Sequence, residues 1–315
     1  MSHAARYRGR FAPSPTGPLH FGSLIAALAS YADARAHAGE WRLRIDDVDE
    51  PRARGDAEGE ILATLEQYGF EWDGAVARQS ARIDRYADAL ASLEVAHAVY
   101  PCTCTRRDLE SAPLGSGGER VYPGTCRDGI PAERALHGEC AWRIRVDHAI
   151  IRFRDRLQGV QQQDLARDVG DFIVKRADGL YAYQLCVVVD DADGGITHVV
   201  RGADLLASTP RQIFLQRELG LPEPAYLHVP IALNASGEKL SKQTRAKPLP
   251  REPLAALLSA WRFLDQPLAS PLPASVKEFW RHAVSAWSPA RLPPIPMLPA
   301  PSAYERPGPT LQESV

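Results

Sequence analysis

The stretch RFAPSPTGPLHFGS at residues 10–23 decides how the rest of the chain is read. Residues 6–11 read as a strand, and the proline- and glycine-rich run that follows cannot continue it. Gly22 then opens an alanine- and leucine-rich segment, residues 22–38, that reads as a helix. A strand giving way to a helix across a rigid turn leaves unpaired backbone N–H groups and the positive end of the helix dipole at His20 and Gly22. Such a turn favours an anion such as a nucleotide phosphate, and a glycine there lets a flat ring approach the backbone closely.

Working outward, residues 41–45 read as the next strand and residues 56–68 as the next helix. Strand, helix, strand, helix in so short a span predicts an α/β fold with a parallel sheet and crossover helices. A helix over 83–96 leads to an apolar strand ending at Tyr100. Between Cys102 and Cys140 regularity stops: the run GSGG, several prolines and four of the five cysteines predict an insertion. Order returns over 141–146. Residues 172–183 read as a hairpin turning at Asp178 and Gly179. Asp190, Asp191 and Asp193 read as a polar loop before Gly194 and Gly195 rather than as a metal site. Ser208 and Thr209 offer a cap and Pro210 suits the first turn of a helix over 210–219. Residues 229–233 are strand-like. After about Trp287 the chain is proline-rich and predicted to be a loosely packed tail.

At 315 residues and 45% hydrophobic, the chain can bury one large core or two modest ones. No apolar run reaches the roughly 18 residues of a membrane span. Residues 1–10 are polar and arginine-rich with no apolar stretch behind them, which predicts no signal peptide. An odd number of cysteines, three of them close together, points to a reducing compartment and a metal, hence a cytoplasmic protein. A net charge of −2 excludes a general electrostatic coat for nucleic acid but leaves room for a local basic surface that docks one RNA. Only five lysines occur, and Lys239, Lys242 and Lys247 cluster, which marks a phosphate-handling loop. In KLSKQ, residues 239–243, two lysines three apart can reach one triphosphate as compact point charges. Charge building on a pentacoordinate phosphorus and its pyrophosphate leaving group needs such cations.

The two motifs, in this order and about 220 residues apart, resemble the signature pair of class I aminoacyl-tRNA synthetases. RFAPSPTG, RIDDVD at 44–49, YQL at 183–185 and VRGAD at 200–204 resemble the glutamyl branch. The resemblance implies a Rossmann-like catalytic sheet with an inserted zinc-containing, acceptor-type subdomain and a short helical C-terminal region. On that pattern residues 1–101 form the first half of the catalytic domain and 102–140 the zinc-containing insertion. Residues 141–250 hold the rest of the insertion and the second half with the lysine loop, and 251–315 the helical region and tail. The resemblance further implies that Arg10, Phe11, Ala12, Pro13, Ser14, Tyr183 and Arg201 bind glutamate. Asp46, where relatives of this branch carry glutamate, takes the substrate's α-amino group. His20, Gly22, Ser23 and Lys242 meet ATP, and His20, Lys239 and Lys242 carry the catalytic charges.

Cys102, Cys104 and Cys126 suggest Zn²⁺ held tetrahedrally by thiolates. Spacing leaves Tyr122, His137 and Cys140 open as fourth ligand. A Tyr-x3-Cys arrangement is similar to that of a short glutamyl-synthetase relative, which favours Tyr122. Cys140 and Cys186 read as core residues. About 70 residues follow Gln243, too few for the helical anticodon-reading domain of a full glutamyl-tRNA synthetase. The chain therefore resembles the short glutamyl-queuosine tRNA(Asp) synthetase family. That resemblance implies ATP with Mg²⁺, L-glutamate and queuosine-containing tRNA(Asp) as substrates of a monomer. The alternatives are a compact enzyme charging tRNA(Glu) and an inactive zinc-containing RNA-binding paralogue.

Overall fold

A computed structural model describes residues 6–48, 56–131, 140–147, 149–241 and 246–304. Strand β1 (Arg8–Phe11) pairs in parallel with β2 (Glu40–Ile45), and β2 with the two-residue β3 (Ala77–Arg78). Helix α1 (Phe21–Ala36) crosses between the first two strands and α2 (Ala57–Gln67) lies between the next two. After α3 (Ile83–Val95), strand β4 (Val99–Cys102) enters a second sheet. There β5 (Ala141–Ile144) pairs antiparallel with β4 and with β8 (Phe172–Lys175). Between them stand an antiparallel hairpin of β6 (Ile150–Asp155) and β7 (Gly159–Asp164) and the single turn α4 (Leu165–Asp168).

Helix α5 (Tyr183–Asp193) returns the chain to the parallel system. Thr197, just before β9 (His198–Gly202), donates its N–H to the Arg8 carbonyl at 2.9 Å, which joins β9 to β1. Helix α6 (Thr209–Glu218) then leads to β10 (Ala225–Val229), parallel to β9. The short β11 (Ile231–Leu233) is followed by α7 (Pro253–Phe263), α8 (Val276–Ala286) and β12 (Met297–Pro299), which pairs in parallel with β11.

Helix α1 is buried along most of its length because it has cover on both sides. Leu24, Ile25 and Leu28 share one core with Trp41 and Leu43 of β2 and with Trp261 and Phe279 of α7 and α8. A second core gathers Tyr86, Leu185, Val187, Phe172 and Leu215 around α5. The fully buried Asp33 of α1 joins distant parts of the chain. It accepts from Tyr7 Oη, from Arg156 Nη1 at 2.6 Å and from Trp287 Nε1 at 2.9 Å. A buried carboxylate is tolerated only with such a complete set of partners.

Several expectations are corrected. The hairpin over 172–183 keeps its turn, with Gly179 at φ 87°, but its return arm is a single bridge from Tyr181 to Lys175 before α5 begins. Asp190, Asp191 and Asp193 are not a loop: they form the last turn of α5, and arginines supply the countercharge. Pro230, which has no N–H to donate, separates two strands where one was expected over 229–233. Ser208 occupies the N-cap of α6 without a side-chain bond, and the Thr209 hydroxyl accepts from Arg201 instead. Cys140 is half-buried rather than core. The proline-rich segment after Trp287 packs: Leu292, Ala300 and Tyr304 are buried, and Tyr304 stacks on Phe21 with ring centroids 4.2 Å apart. No helix among the described residues is long and apolar enough to cross a membrane.

Candidate active site

The carboxyl ends of the parallel strands open on a cleft of about 1040 Å³. Phe11 ends β1, Asp46 follows β2, Arg201 and Gly202 close β9, and Val229 ends β10; all five line it. Ligands of open α/β sheets bind at this edge, where side chains and helix N-termini converge. Arg10, Phe11, Ala12, Pro13, Ser14, His20, Gly22, Ser23, Asp46, Tyr183, Arg201 and Lys239 all line the one cleft. Lys242 lies outside the described residues, as does His137.

His20 is the N-cap of α1, and its Nδ1 accepts from the Ser23 N–H at 3.3 Å. In the neutral ring this leaves the proton on Nε2, so the imidazole is a donor on its other side. A Cβ on Gly22 would lie 3.2 Å from the His20 ring and 3.2 Å from the Leu240 carbonyl. A side chain here would push the His20 ring or the Leu240 backbone back by a few tenths of an ångström, so glycine suits the close approach of the helix start to the lysine loop. Backbone bonds place both segments: Leu240 N–H donates to Ala232 O of β11 at 2.8 Å, and beyond the loop Leu249 N–H donates to Leu19 O at 2.9 Å, next to the bridge between His20 and Pro248. Lys239 pairs with Asp204, which also lines the cleft.

Opposite that turn, the cleft floor is an array of buried ions. Arg10 of β1 reaches Asp191 at 3.3 Å, and Arg44 of β2 reaches the same carboxylate at 2.7 Å. Arg44 also clasps Asp46, Nε to Oδ1 at 2.6 Å and Nη2 to Oδ2 at 3.3 Å. Asp190 accepts from Arg82 at 2.6 Å, Gln79 at 2.8 Å and Tyr86 at 2.9 Å. Burial opposes ionisation of Asp191, yet Arg10 and Arg44 hold it below the usual carboxylate range. For Asp46 burial prevails over Arg44, and its carboxyl is raised. One end of α5 thus answers the arginines of the sheet while Tyr183, at the other end, faces the cleft.

Residues 6–252 match the family described as tRNA synthetases class I (E and Q), catalytic domain. The chain belongs to the class I tRNA synthetases of the E and Q type. It is therefore a ligase-type enzyme. It is 55% identical over 306 residues to the glutamyl-Q tRNA(Asp) synthetase of Aromatoleum aromaticum, covering 96% of this chain and 95% of that one. It is 54% identical over 299 residues to the protein of the same name from Thiobacillus denitrificans, covering 93% and 97%. The crystal structure of glutamate-tRNA synthetase from Elizabethkingia anophelis superposes with a TM-score of 0.76 at 24% identity, over 94% of this chain and 68% of that one, which shows the shared fold.

The second site of this synthetase is a cluster of Cys102, Cys104 and Cys126, whose sulfurs all lie within 4.8 Å of one another. Zinc–sulfur bonds of about 2.3 Å put tetrahedral sulfurs about 3.8 Å apart. Cys104 and Cys126 stand at 3.7 Å, and Tyr122 Oη lies 3.3 Å from Cys102 Sγ and 3.7 Å from Cys104 Sγ. These four donors fit a metal such as zinc; Cys140 is not among the clustered sulfurs. Arg143 donates from Nε to Cys102 Sγ at 3.3 Å and lies 3.8 Å over the Tyr122 ring, which places a cation beside the cluster.

Sequence reading missed the partners of the candidate residues. Arg44 and Asp204 sat inside quoted motifs without a role. Asp191 carried a signal, a carboxylate pair on an apolar helical run, that its neighbouring glycines masked. Replacing Asp191 by Asn should cost about 3 kcal/mol of stability, since it leaves two buried guanidinium groups short of a countercharge. The folded-state pKa is depressed, so this contribution is complete above the unfolded aspartate value and is lost as pH falls through the folded one. Urea unfolding of both proteins should show a gap that persists to about pH 5 and closes only under more acid conditions.

Proposed function

We propose that the chain activates L-glutamate with ATP and transfers it to queuosine at the wobble position of tRNA(Asp). The observation that carries this reading is the meeting, in one cleft, of the His20–Gly22 helix start, the Lys239 loop and a pocket of Arg10, Asp46, Tyr183 and Arg201. The acceptor follows from the names of relatives that match nearly from end to end.

In this reading the α-carboxylate oxygen of glutamate attacks the α-phosphorus of ATP, and the bond to the β-phosphate oxygen breaks, giving glutamyl-adenylate and pyrophosphate. A hydroxyl of the cyclopentene cis-diol then attacks the acyl carbon, AMP leaves, and the hydroxyl proton departs with it or to water. Neither step needs a covalent enzyme intermediate; rate comes from positioning and from charges already in place. His20 meets the phosphates at the α1 dipole, and Lys242 and Lys239 stabilise the charge that builds on them. Arg201 takes a carboxylate of glutamate and Asp46 its ammonium group. Mg²⁺ accompanies ATP, bound chiefly by phosphate oxygens and water. Zn²⁺ at Cys102, Cys104, Cys126 and Tyr122 holds the inserted unit in shape.

Labelled glutamate, ATP and two RNAs test the assignment. Label should enter queuosine-containing tRNA(Asp) and vanish when queuosine is absent. Transfer to tRNA(Glu) instead would make the chain a compact charging enzyme, and label on neither RNA would leave an RNA-binding paralogue. Because burial raises Asp46, its protonation should raise the glutamate KM on acidification from a pH above the ordinary aspartate range, and Asp46→Asn should abolish that inflection. Elemental analysis of protein purified without chelator should give one zinc per chain and next to none for Cys126→Ser; an unchanged content in the variant would refute the ligand set.

A further inference from the structure

Arg201 is 5% exposed, and its five N–H donors are almost fully assigned. Nε donates to His228 Nε2 at 3.0 Å. Nη2 donates to Thr209 Oγ1 at 2.9 Å and to Gln212 Oε1 at 2.8 Å. Nη1 meets only the Tyr183 hydroxyl, at 3.5 Å, so one of its hydrogens has no partner among the described residues. Arg201 lines the cleft, and its unfilled edge is the one beside Tyr183. Three sides of the guanidinium are thus spent on fixing it.

Behind it stands a second layer. His228 is fully buried, and its Nδ1 lies 2.7 Å from Asp155 Oδ2. The aspartate can only accept and the arginine can only donate. A neutral ring satisfies both in a single tautomer, with the proton on Nδ1 and the lone pair of Nε2 toward Arg201, beside the Thr209 hydroxyl, whose oxygen lies 3.2 Å from Nε2. Burial pushes His228 down to about 4; Asp155 opposes that and Arg201 adds to it, so the ring is neutral at working pH. Burial opposes ionisation of Asp155 as well, but His228 and the N–H groups of Leu157 and Gln158 hold its carboxyl low. Asp155 ends β6, at the turn of the inserted hairpin, whereas His228 belongs to β10.

We infer that Asp155 and His228 are positioning residues for glutamate: the pair fixes the imidazole tautomer that receives Arg201 Nε, and so aims Nη1 at a substrate carboxylate. This rests on the assignment of glutamate to the cleft. A buried polar pair that merely joined the inserted unit to β10 would alter stability without singling out one substrate.

Asp155→Asn separates the two roles. The Asn oxygen keeps the backbone N–H bonds, so its amide nitrogen faces His228 Nδ1 and drives the proton to Nε2. Nε2 then has no lone pair for Arg201 and presents it with a second donor, whose only other acceptor at hand is the Thr209 hydroxyl already bound by Arg201 Nη2. In glutamate-dependent ATP–pyrophosphate exchange, the glutamate KM should rise about tenfold or more, while the KM for ATP and kcat move little. His228→Leu, which removes the acceptor, should do the same. His228→Gln, whose amide oxygen can accept from Arg201, should recover most of the affinity. Melting temperatures of all variants report folding separately. A parental glutamate KM in folded Asp155→Asn and His228→Leu, or a uniform loss of kcat in all three, overturns the inference. Arg201→Lys serves as the marker of the underlying reading. If it raises the glutamate KM and Asp155→Asn does not, only the positioning role falls; if Arg201→Lys leaves the KM unchanged, the glutamate assignment of Arg201 falls with it.

Discussion

The rest of the structure depends on the buried array of Arg10, Arg44, Asp46 and Asp191. Ions taken out of water lose several kcal/mol each in hydration, and only close, mutually satisfied partners offset that loss. Here the arginines come from two adjacent parallel strands and Asp191 from a helix that follows the inserted sheet. The array therefore fixes where α5 sits on the parallel sheet, and with it the position of Tyr183 on the cleft wall. An apolar contact could hold the helix equally well but would not fix its register so narrowly, because hydrophobic attraction is not directional. The same array leaves Asp46 clasped by Arg44 in the cleft rather than loose in solvent.

How far sequence alone could go depended on the range of each interaction. The turn at His20 and Gly22 and the start of the lysine loop were legible as neighbours on one cleft because their residue types are distinctive locally. The alternation of strands and helices at the start of the chain was legible because period and punctuation are local too. The last turn of α5 was not. Aspartates before a Gly-Gly pair look solvated until Arg10 and Arg44, 181 and 147 residues away in sequence, are seen to meet them. Thr209 failed in the same way: its hydroxyl suited a helix cap, but Arg201 claims it from another element. His228 gave no signal, since a histidine in an apolar strand reads as core until Arg201, Asp155 and Thr209 are seen to meet its two ring nitrogens.

The segment after Trp287 shows a different limit. Proline richness is correctly read as poor in regular structure, but irregular chain can still be bound tightly at a few anchors. Trp287 donates to the buried Asp33, Leu292 and Ala300 enter the core beside α1, and Tyr304 stacks on the first residue of that helix. Composition measures the tendency to form helix or strand; it does not measure whether apolar side chains at irregular spacing find a groove.

The pairing of β12 with β11 carries a consequence for how the protein is made. Ile231 N–H is satisfied by Pro296 O at 2.9 Å, and the Leu233 carbonyl by Ala300 N–H at 2.7 Å. Strand β11 leads directly into the Lys239 loop, yet its edge partner is synthesised only after two further helices. On the ribosome, where chains emerge N-terminus first, the lysine-loop edge of the cleft must wait with an open strand border until residues 297–299 arrive. Completion of that edge is thereby timed late in synthesis, after the inserted sheet and the ion array have had the opportunity to form.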